Sequence, residues 1–192
     1  MRNHILVSLL LMLILALPAS ALAGPAAPRR DGQPSLDVTR LEKRIHDLVN
    51  RERKKAGLPA LAWNPTLQRI ARNYSREMAN RGFFSHTGPD GRDFSERYRH
   101  AGFDCVIRTS GTSTCLGGEN LAMNALYRSI SWRDGRQQTD WNSEEQIAAS
   151  VVRQWMTSPG HRRNILTRHY QRQGIGVAVD QDGRVLVTEN FC

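Results

Sequence analysis

The sequence predicts an α+β fold in which helices pack on an antiparallel sheet. Apolar residues recur with the 3.6-residue period of a helix through the first part of the chain, and they alternate with a period of two near its end. Helices followed by strands are typical of an α+β arrangement. With 192 residues, 40% hydrophobic and 23% charged, the composition excludes a disordered or collagen-like chain.

The N-terminus has the features of a secretory signal peptide. Arg2 supplies a positive charge, residues 5–17 form an uncharged, leucine-rich run, and Ala21-Leu22-Ala23 is a small-x-small cleavage pattern. The apolar run is too short to span a bilayer comfortably. The predicted parts of the chain are a signal peptide over residues 1–23, a flexible linker over residues 24–37 and one folded domain over residues 38–192.

Four helices are expected because each combines an apolar face with signals for its ends. The second begins with a capping Asn64 and Pro65, and Gly82 can end it. The marker residues of the others are Leu41, Ile45, Leu48, Val49 and Gly57 for the first, Asp93, Glu96, Tyr98 and Gly102 for the third, and Ser143, Gln146, Val151, Trp155 and Pro159 for the fourth.

The end of the chain is expected to form a β-hairpin. Apolar residues alternate on both sides of Asp182-Gly183, a dipeptide that favours a two-residue hairpin turn. The alternating residues are Ile175, Val177 and Val179 before the turn, and Val185, Val187 and Glu189 after it.

The three cysteines allow three disulfide pairings, and the sequence does not choose among them. In an oxidising compartment we favour a bridge between Cys105 and Cys115, which bracket a nine-residue segment, with Cys192 left over. Such a bridge is expected to staple a loop and to have no redox role.

The net charge of +9 comes from 24 arginines and three lysines against 18 acidic residues. This charge favours an anionic polymer at a cell surface as a partner. The arginines occur singly or in short pairs without interleaved aromatic residues, so we expect no nucleic-acid partner. A monomer without a transmembrane span is expected.

Two histidines and one glutamate are the candidate functional residues. His86 follows the helix-ending Gly82, His161 follows Ser158-Pro159-Gly160, and Glu119 follows two glycines at an expected loop-to-helix transition. Two imidazoles and a carboxylate can hold a divalent ion, or the carboxylate and an imidazole can pair as a base and its orienting group. The alternative is a buried, hydrogen-bonded structural trio. The remaining histidines of the domain, His46, His100 and His169, are expected to be solvated or capping residues.

Four ordered segments resemble the motifs of the bacterial branch of the CAP superfamily (cysteine-rich secretory proteins, antigen 5, pathogenesis-related 1). They are residues 48–51 with 58–63, Phe84-Ser85-His86, Gly118-Glu119-Asn120-Leu121, and residues 151–166 (VVRQWMTSPGHRRNIL); Gly174-Ile175-Gly176-Val177 is also typical. The resemblance covers about residues 41–191. It implies a three-layer α-β-α sandwich, with a central antiparallel sheet and a cleft over it.

The family cleft commonly holds two histidines and two acidic residues. Carried over by motif, these positions are His86, Glu119 and His161, but the fourth is Ser158 rather than a carboxylate. Glu189 is a further candidate to reach the cleft. Two imidazoles would bind zinc or another divalent cation only weakly, with Glu119 as a third ligand or as the partner that orients one of them. Asn120 and Asn164 are expected to brace loops, and Arg162 to hold Glu119 or a chain terminus.

The resemblance implies a secreted or periplasmic protein whose cleft binds a lipid or a cell-envelope component without catalysis. The alternative is a metal-assisted hydrolase, protease-like or esterase-like, in which Glu119 is the general base and His86 and His161 hold the ion. The sequence leaves open whether the protein is an enzyme. A third reading, from charge alone, is a structural role at an anionic surface.

Overall fold

The computed structural model describes residues 35–110 and 112–192, and the predicted signal peptide and residues 24–34 of the predicted linker lie outside them. The helices are α1 (Val38–Lys55), α2 (Pro65–Arg81), α3 (Phe94–His100), α4 (Glu144–Thr157) and α5 (Pro159–Ile165). The strands are β1 (Ala62–Trp63), β2 (Ile107–Ser110), β3 (Ser113–Cys115), β4 (Gly118–Ala125), β5 (Tyr127–Arg133), β6 (Arg136–Trp141), β7 (Arg172–Val179) and β8 (Arg184–Phe191).

The central sheet has the strand order β1-β7-β8-β4. The strands β7, β8 and β4 are antiparallel, whereas the short β1 pairs with β7 in parallel. Helices α1 and α4 pack on one face through an apolar cluster that includes Ile45, Trp155 and Val187, and α2 packs on the other through Tyr74, Met78 and Leu186. The predicted α-β-α sandwich is therefore confirmed.

The predicted helix ends are also confirmed. Asn64 caps α2 with its side chain, and Gly82 ends that helix in the left-handed conformation at φ 67°. Asp93 with Glu96, and Ser143 with Gln146, form reciprocal capping boxes at the starts of α3 and α4. Each cap is worth about 1 kcal/mol. The terminal hairpin of β7 and β8 forms as predicted, but its turn is a three-residue loop over residues 181–183, in which Gly183 has a φ of 80°, and not the expected two-residue turn.

Helix α2 lies directly against β7 because two glycines leave room for its backbone. A Cβ atom at Gly174 would lie 2.0 Å from the backbone nitrogen of Gln68, and one at Gly176 would lie 2.0 Å from that of Arg72. One turn further along α2, Ser75 donates a 2.9 Å hydrogen bond to the Gly176 carbonyl oxygen. Along β7, Gly174 and Gly176 thus face α2, whereas Ile175 and Val177 face the apolar core on the other side of the sheet.

Several elements differ from the expectations. Glu119 lies on β4 and not at the start of a helix, and His161 lies in the separate short helix α5. The β2–β3 and β5–β6 hairpins were not predicted. The first five residues of β4 are all buried, and this strand therefore lacks the alternation that reveals a half-exposed strand.

The predicted Cys105–Cys115 disulfide is wrong. Cys105 is bonded to Cys192, with their Cα atoms 5.7 Å apart, and Cys115 is a free, half-buried thiol. The β2–β3 register places Cys115 opposite Ile107. The end of β8 brings Cys192 into the apolar cluster that contains Cys105 and Tyr98. Proximity in the sequence favoured the Cys105–Cys115 pair. The disulfide instead joins Cys105 to Cys192, because the end of β8 lies beside Cys105 in the fold.

No helix within the described ranges is long and apolar enough to cross a bilayer.

Replacing Gly176 tests the close contact between α2 and β7. We expect Gly176→Ala to lower the free energy of unfolding by about 1–3 kcal/mol or more, because the new methyl group meets backbone atoms that cannot move aside individually. Urea denaturation measures the change. The matched control is Gly160→Ala in α5, where a Cβ meets nothing within 4 Å, and where stability should rise by up to about 1 kcal/mol. Equal effects of the two substitutions would contradict the packing described.

Candidate functional site

The structure brings His86, Glu119 and His161 together from three elements. His86 lies on the turn after α2, Glu119 is the second residue of β4, and His161 lies in the first turn of α5. The Nδ1 atom of His86 is 2.9 Å from Oε1 of Glu119. The ring centroids of His86 and His161 are 6.3 Å apart. The two imidazoles therefore lie close to one another, and the carboxylate contacts one of them.

Both oxygens of the Glu119 carboxylate have partners. Oε1 accepts from His86, and Oε2 accepts a 2.6 Å hydrogen bond from Nη2 of Arg97 in α3. The Glu119 side chain is fully buried and that of Arg97 is 11% exposed, whereas His86 is 54% exposed. Removing one partner of a buried ion pair costs about 3–5 kcal/mol, so this contact strongly constrains the site.

Arg97 and Tyr74 position the turn that carries His86. Nη2 of Arg97 also donates to the His86 carbonyl oxygen, and its guanidinium lies 3.4 Å from the centroid of the Tyr74 ring. The hydroxyl of Tyr74 donates to the carbonyl oxygen of Ser85. Burial raises the pKa of Tyr74 to about 12, which keeps this donor protonated at neutral pH.

Two asparagines connect β4 to α5. Asn164 donates from Nδ2 to the Glu119 carbonyl oxygen at 3.1 Å and to Oδ1 of Asn120 at 2.9 Å. Asn120 donates in turn to the carbonyl oxygen of His161 at 3.2 Å. The expected side-chain to backbone hydrogen bonds are present, but they join a strand to a helix rather than bracing loops, and they fix His161 relative to Glu119.

His161 is a partly buried imidazole. Burial lowers its pKa, and the neighbouring His86 lowers it further. Both effects favour the neutral ring, which is the form that binds a metal ion.

Glu189 lies in the interior, beside Asn120. These two residues are paired across β4 and β8, and Oε2 of Glu189 accepts a 3.0 Å hydrogen bond from Nδ2 of Asn120. The residue is fully buried, and its Oε1 has no hydrogen-bond partner among the described residues. Burial raises the pKa of Glu189 to about 8, against the opposing effects of Asn120 and Arg53. Glu189 is thus a buried acid that stays largely protonated at neutral pH.

Ser158 joins α4 to α5 and lies three residues before His161. Its side chain makes no capping hydrogen bond to α5. Across residues 35–110 and 112–192, no group of three His, Cys, Asp or Glu side chains is arranged to hold a metal ion. His86, Glu119 and His161 are therefore not arranged as the three or four ligands of a tight zinc site.

Sequence reasoning missed Arg97, and it gave the wrong candidate for its role. Arg162 was the candidate partner of Glu119, but it lies exposed in α5 along a groove with Met156 and Leu166. Arg97 belongs to a short helix rich in charged residues and follows no apolar period that would distinguish it. Its contact with Glu119 depends on how closely α3 packs against β4, and no local sequence pattern predicts that distance.

The expectation for His46 was also wrong. Its ring is buried and contacts Gln173 Nε2 at 2.7 Å and Asn50 Nδ2 at 3.2 Å. Burial lowers the pKa of His46. The sequence did contain a signal for the burial of His46. It lies on a helical stripe of α1 whose residues are all buried: Glu42, His46, Val49 and Arg53. Helix α1 therefore buries a wider face than its apolar residues indicate.

Comparison with known proteins gives a family match over most of the chain. The model of the cysteine-rich secretory protein family (CAP) matches residues 46–191. The uncharacterized Bacillus subtilis protein YkwD is 29% identical over 140 residues, which are 72% of this chain and 43% of YkwD. The uncharacterized membrane protein YlbC of the same organism is 28% identical over 153 residues, which are 80% of this chain and 34% of YlbC. The chain thus spans less than half of the length of either relative.

Solved structures agree with this match. An extracellular Bacillus anthracis protein with an SCP domain has a TM-score of 0.57 and 25% identity, covering 80% of this chain and 40% of that one. An outer surface protein from Borrelia burgdorferi has a TM-score of 0.58 at 18% identity, covering 81% of this chain and 94% of that one, and it supports the fold alone.

The buried acid predicts a pH dependence of stability. The pKa of Glu189 is about 8 in the folded protein against 4.5 ordinarily, so between these values the folded state binds more protons than the unfolded state. The free energy of unfolding therefore falls as pH rises through this window, by roughly 3 kcal/mol between pH 5 and pH 8. We expect Glu189→Gln to remove this loss, so that the variant becomes more stable than the wild type at pH 8.

Urea denaturation at pH 5, 6, 7 and 8 measures the difference between variant and wild type. The exposed Glu145, whose pKa is lowered chiefly by a backbone hydrogen bond, provides the control Glu145→Gln, which should leave the slope unchanged. A constant difference between Glu189→Gln and wild type across this range would contradict the prediction.

Proposed function

The chain belongs to the cysteine-rich secretory protein (CAP) family, and from this premise we propose that it is a secreted binding module without catalytic activity. Its cleft binds a divalent cation weakly through His86 and His161, together with a lipid or cell-envelope ligand. The observation that carries the proposal is the Glu119 carboxylate, whose two oxygens are engaged by His86 and Arg97.

The engaged carboxylate argues against a hydrolase with Glu119 as general base. A general base needs a free oxygen within hydrogen-bond reach of the proton that it removes. Oε1 of Glu119 contacts His86, and Oε2 contacts the nearly buried Arg97. Ser158, the hydroxyl nearest to His161 along the chain, shows no hydrogen bond to either imidazole. The arrangement therefore favours binding over bond cleavage.

The same carboxylate supports a metal-binding role for His86. A carboxylate that accepts from one ring nitrogen fixes the tautomer and the ring orientation of a metal-binding histidine. Because Nδ1 of His86 faces Glu119, its Nε2 is the nitrogen available to an ion. The partly buried His161 would be the second ligand. A bound zinc ion would supply a positive charge and open coordination positions for an anionic group of the ligand.

Three observations support secretion. The first 23 residues have the pattern of a signal peptide. A disulfide joins Cys105 to Cys192, and disulfides persist mainly in oxidising compartments. The similar Bacillus anthracis protein is described as extracellular. The ligand is then a component of the cell envelope or its surroundings.

One observation favours a second candidate, a hydrolase in which His86 is the general base rather than a metal ligand. An imidazole whose Nδ1 is held by a buried carboxylate and whose Nε2 is free is the base-and-orienter pair of many hydrolases. In that reading His86 accepts the proton and Glu119 orients the ring. Turnover of peptide or ester substrates that disappears in both His86→Ala and His161→Ala would favour the alternative.

A zinc titration by calorimetry on residues 24–192 tests the proposal. We expect saturable one-to-one binding that is lost in His86→Ala and in His161→Ala, since each variant removes one of two ligands. Glu119→Gln, which removes the orienting charge, should weaken zinc binding about 10–100-fold. The control is His100→Ala, which replaces an exposed histidine of α3 and should bind like the wild type.

Absence of zinc binding in the wild type, or binding that both cleft variants retain, would overturn the metal site. Turnover that depends on both histidines would overturn the non-catalytic assignment and leave the metal site standing.

A further inference from the structure

A chain of polar side chains lies between the central sheet and α1. Its members are His46 and Asn50 of α1, Gln173 of β7, Glu189 of β8 and Asn120 of β4. Gln173 and Glu189 are both fully buried, and the Oε1 atom of each has no hydrogen-bond partner among the described residues. Buried polar atoms are almost always hydrogen-bonded, so two unpartnered oxygens on one face of a sheet need an explanation.

The strand register brings these two oxygens within reach of one another. Glu189 is paired with Ile175, and Gln173 lies two residues before Ile175 on β7. Both side chains therefore project from the same face of the sheet as diagonal neighbours, and long side chains at such positions can meet. Two oxygens that meet need a proton between them, unless one residue presents a donor in place of its oxygen.

The imidazole of His46 is subject to two opposing demands. Leu61 fixes the Asn50 amide, because Oδ1 accepts from the Leu61 nitrogen at 2.8 Å and Nδ2 donates to the Leu61 carbonyl oxygen at 3.0 Å. The same Nδ2 lies 3.2 Å from Nε2 of His46, and a donor there favours an imidazole protonated on Nδ1. However, Nε2 of Gln173 lies 2.7 Å from Nδ1 of His46, and a donor there favours the opposite tautomer.

Rotation of the Gln173 amide by 180° removes this conflict. The oxygen and nitrogen of an amide have nearly the same shape, so the rotation exchanges an acceptor for a donor without repacking. Oε1 of Gln173 then accepts from Nδ1 of His46, and Nε2 donates toward Oε1 of Glu189. This arrangement requires an ionised Glu189. A protonated Glu189 carries a donor of its own and favours the unrotated amide, whose Oε1 accepts it.

We propose that Glu189, Gln173 and His46 form a proton-operated switch with two hydrogen-bonding states. When Glu189 is protonated, its Oε1 donates to Oε1 of Gln173, Nε2 of Gln173 donates to Nδ1 of His46, and the imidazole carries its proton on Nε2. When Glu189 releases its proton to solvent, the Gln173 amide rotates and donates to the carboxylate. The imidazole then loses the proton on Nε2 and gains one on Nδ1, so its charge does not change.

The surroundings of Glu189 place the switch at mildly alkaline pH. Arg53 of α1 is the charged side chain that acts on Glu189, and its described hydrogen bonds go to backbone carbonyl oxygens rather than to a carboxylate. The residues of β4 and β7 in the chain are uncharged amides, and Tyr170 directs its hydroxyl away to the Gly117 carbonyl oxygen. Burial raises the pKa of Glu189 to about 8, so both states are accessible in the folded protein.

The surroundings of His46 keep it neutral in both states. Burial and Lys43 lower its pKa, and only Asp47 opposes them. Glu42, one turn earlier on α1, is fully buried and already paired with Arg72. A neutral imidazole has two tautomers that differ only in which nitrogen donates, and it therefore reports the state of its neighbours.

Asn120 connects the switch to the candidate site. Its Nδ2 donates both to Oε2 of Glu189 at 3.0 Å and to the carbonyl oxygen of His161 at 3.2 Å. A carboxylate is a stronger acceptor than a neutral carboxyl group. Ionisation of Glu189 therefore acts on the side chain that holds the first turn of α5, whether or not the cleft binds a metal ion.

Histidine tautomers measured against pH test the proposal. The sample is residues 24–192 with ¹⁵N-labelled histidine and ¹³C-labelled glutamate, studied from pH 6 to pH 9.5 by long-range ¹H–¹⁵N and carboxyl ¹³C spectra. We expect the two ring nitrogens of His46 to exchange their protonated and unprotonated chemical shifts across this range. The midpoint of the exchange should equal that of the Glu189 carboxyl titration.

Two variants separate the switch from a general effect of pH. Glu189→Gln cannot ionise, so His46 should keep one tautomer at every pH. Gln173→Met removes the connection, so Glu189 should titrate while the tautomer of His46 stays constant. The control Gln171→Met replaces an exposed glutamine of the same segment and should respond like the wild type. Far-ultraviolet circular dichroism checks that each variant is folded.

Three outcomes would overturn the proposal. They are a wild-type His46 with the same tautomer at both ends of the pH range, a change of tautomer that persists in Glu189→Gln, and one that persists in Gln173→Met. If Gln173→Met does not fold, the wild type and Glu189→Gln decide between the switch and its absence.

Discussion

The buried charge of Glu119 is the constraint on which the candidate site depends. A carboxylate removed from water must be paired and hydrogen-bonded. Arg97 supplies the countercharge from α3 and His86 supplies a donor from the turn after α2. One side chain of β4 thereby fixes two other elements, and Asn164 adds α5 through the Glu119 carbonyl oxygen. The positions of His86 and His161 thus depend on the hydrogen-bond partners of one residue, Glu119.

Much of the fold could be predicted because its signals are local. Asn64 before Pro65 and the capping pair Ser143 and Gln146 act within four residues, and the structure contains both as expected. Asp182-Gly183 correctly marked the terminal hairpin, although its loop has three residues rather than two. His86, Glu119 and His161 were identified as candidate site residues from sequence motifs. Their distances, and the partners that surround them, come from the packing of elements far apart in the chain.

The remaining features could not be predicted because they depend on long-range contacts. Cys105 pairs with a residue 87 positions away, so the nearer Cys115 was the wrong choice. The strand β4 is buried throughout its first part, and its sequence therefore shows no alternation. The β5–β6 hairpin differs, because Asp134-Gly135 is the same turn signal that revealed the terminal hairpin. Apart from Ile130 and Trp132 its strands are polar and exposed, so the alternation of apolar residues that supported the prediction of the terminal hairpin is confined to one strand here.

The central claim of the account is the orientation of His86 by Glu119. Long-range ¹H–¹⁵N nuclear magnetic resonance on selectively ¹⁵N-labelled histidine reports the tautomer of each imidazole directly. The account predicts that neutral His86 carries its proton on Nδ1 in the wild type and loses this preference in Glu119→Ala. A wild-type His86 protonated on Nε2, the usual tautomer of a free imidazole, would contradict it.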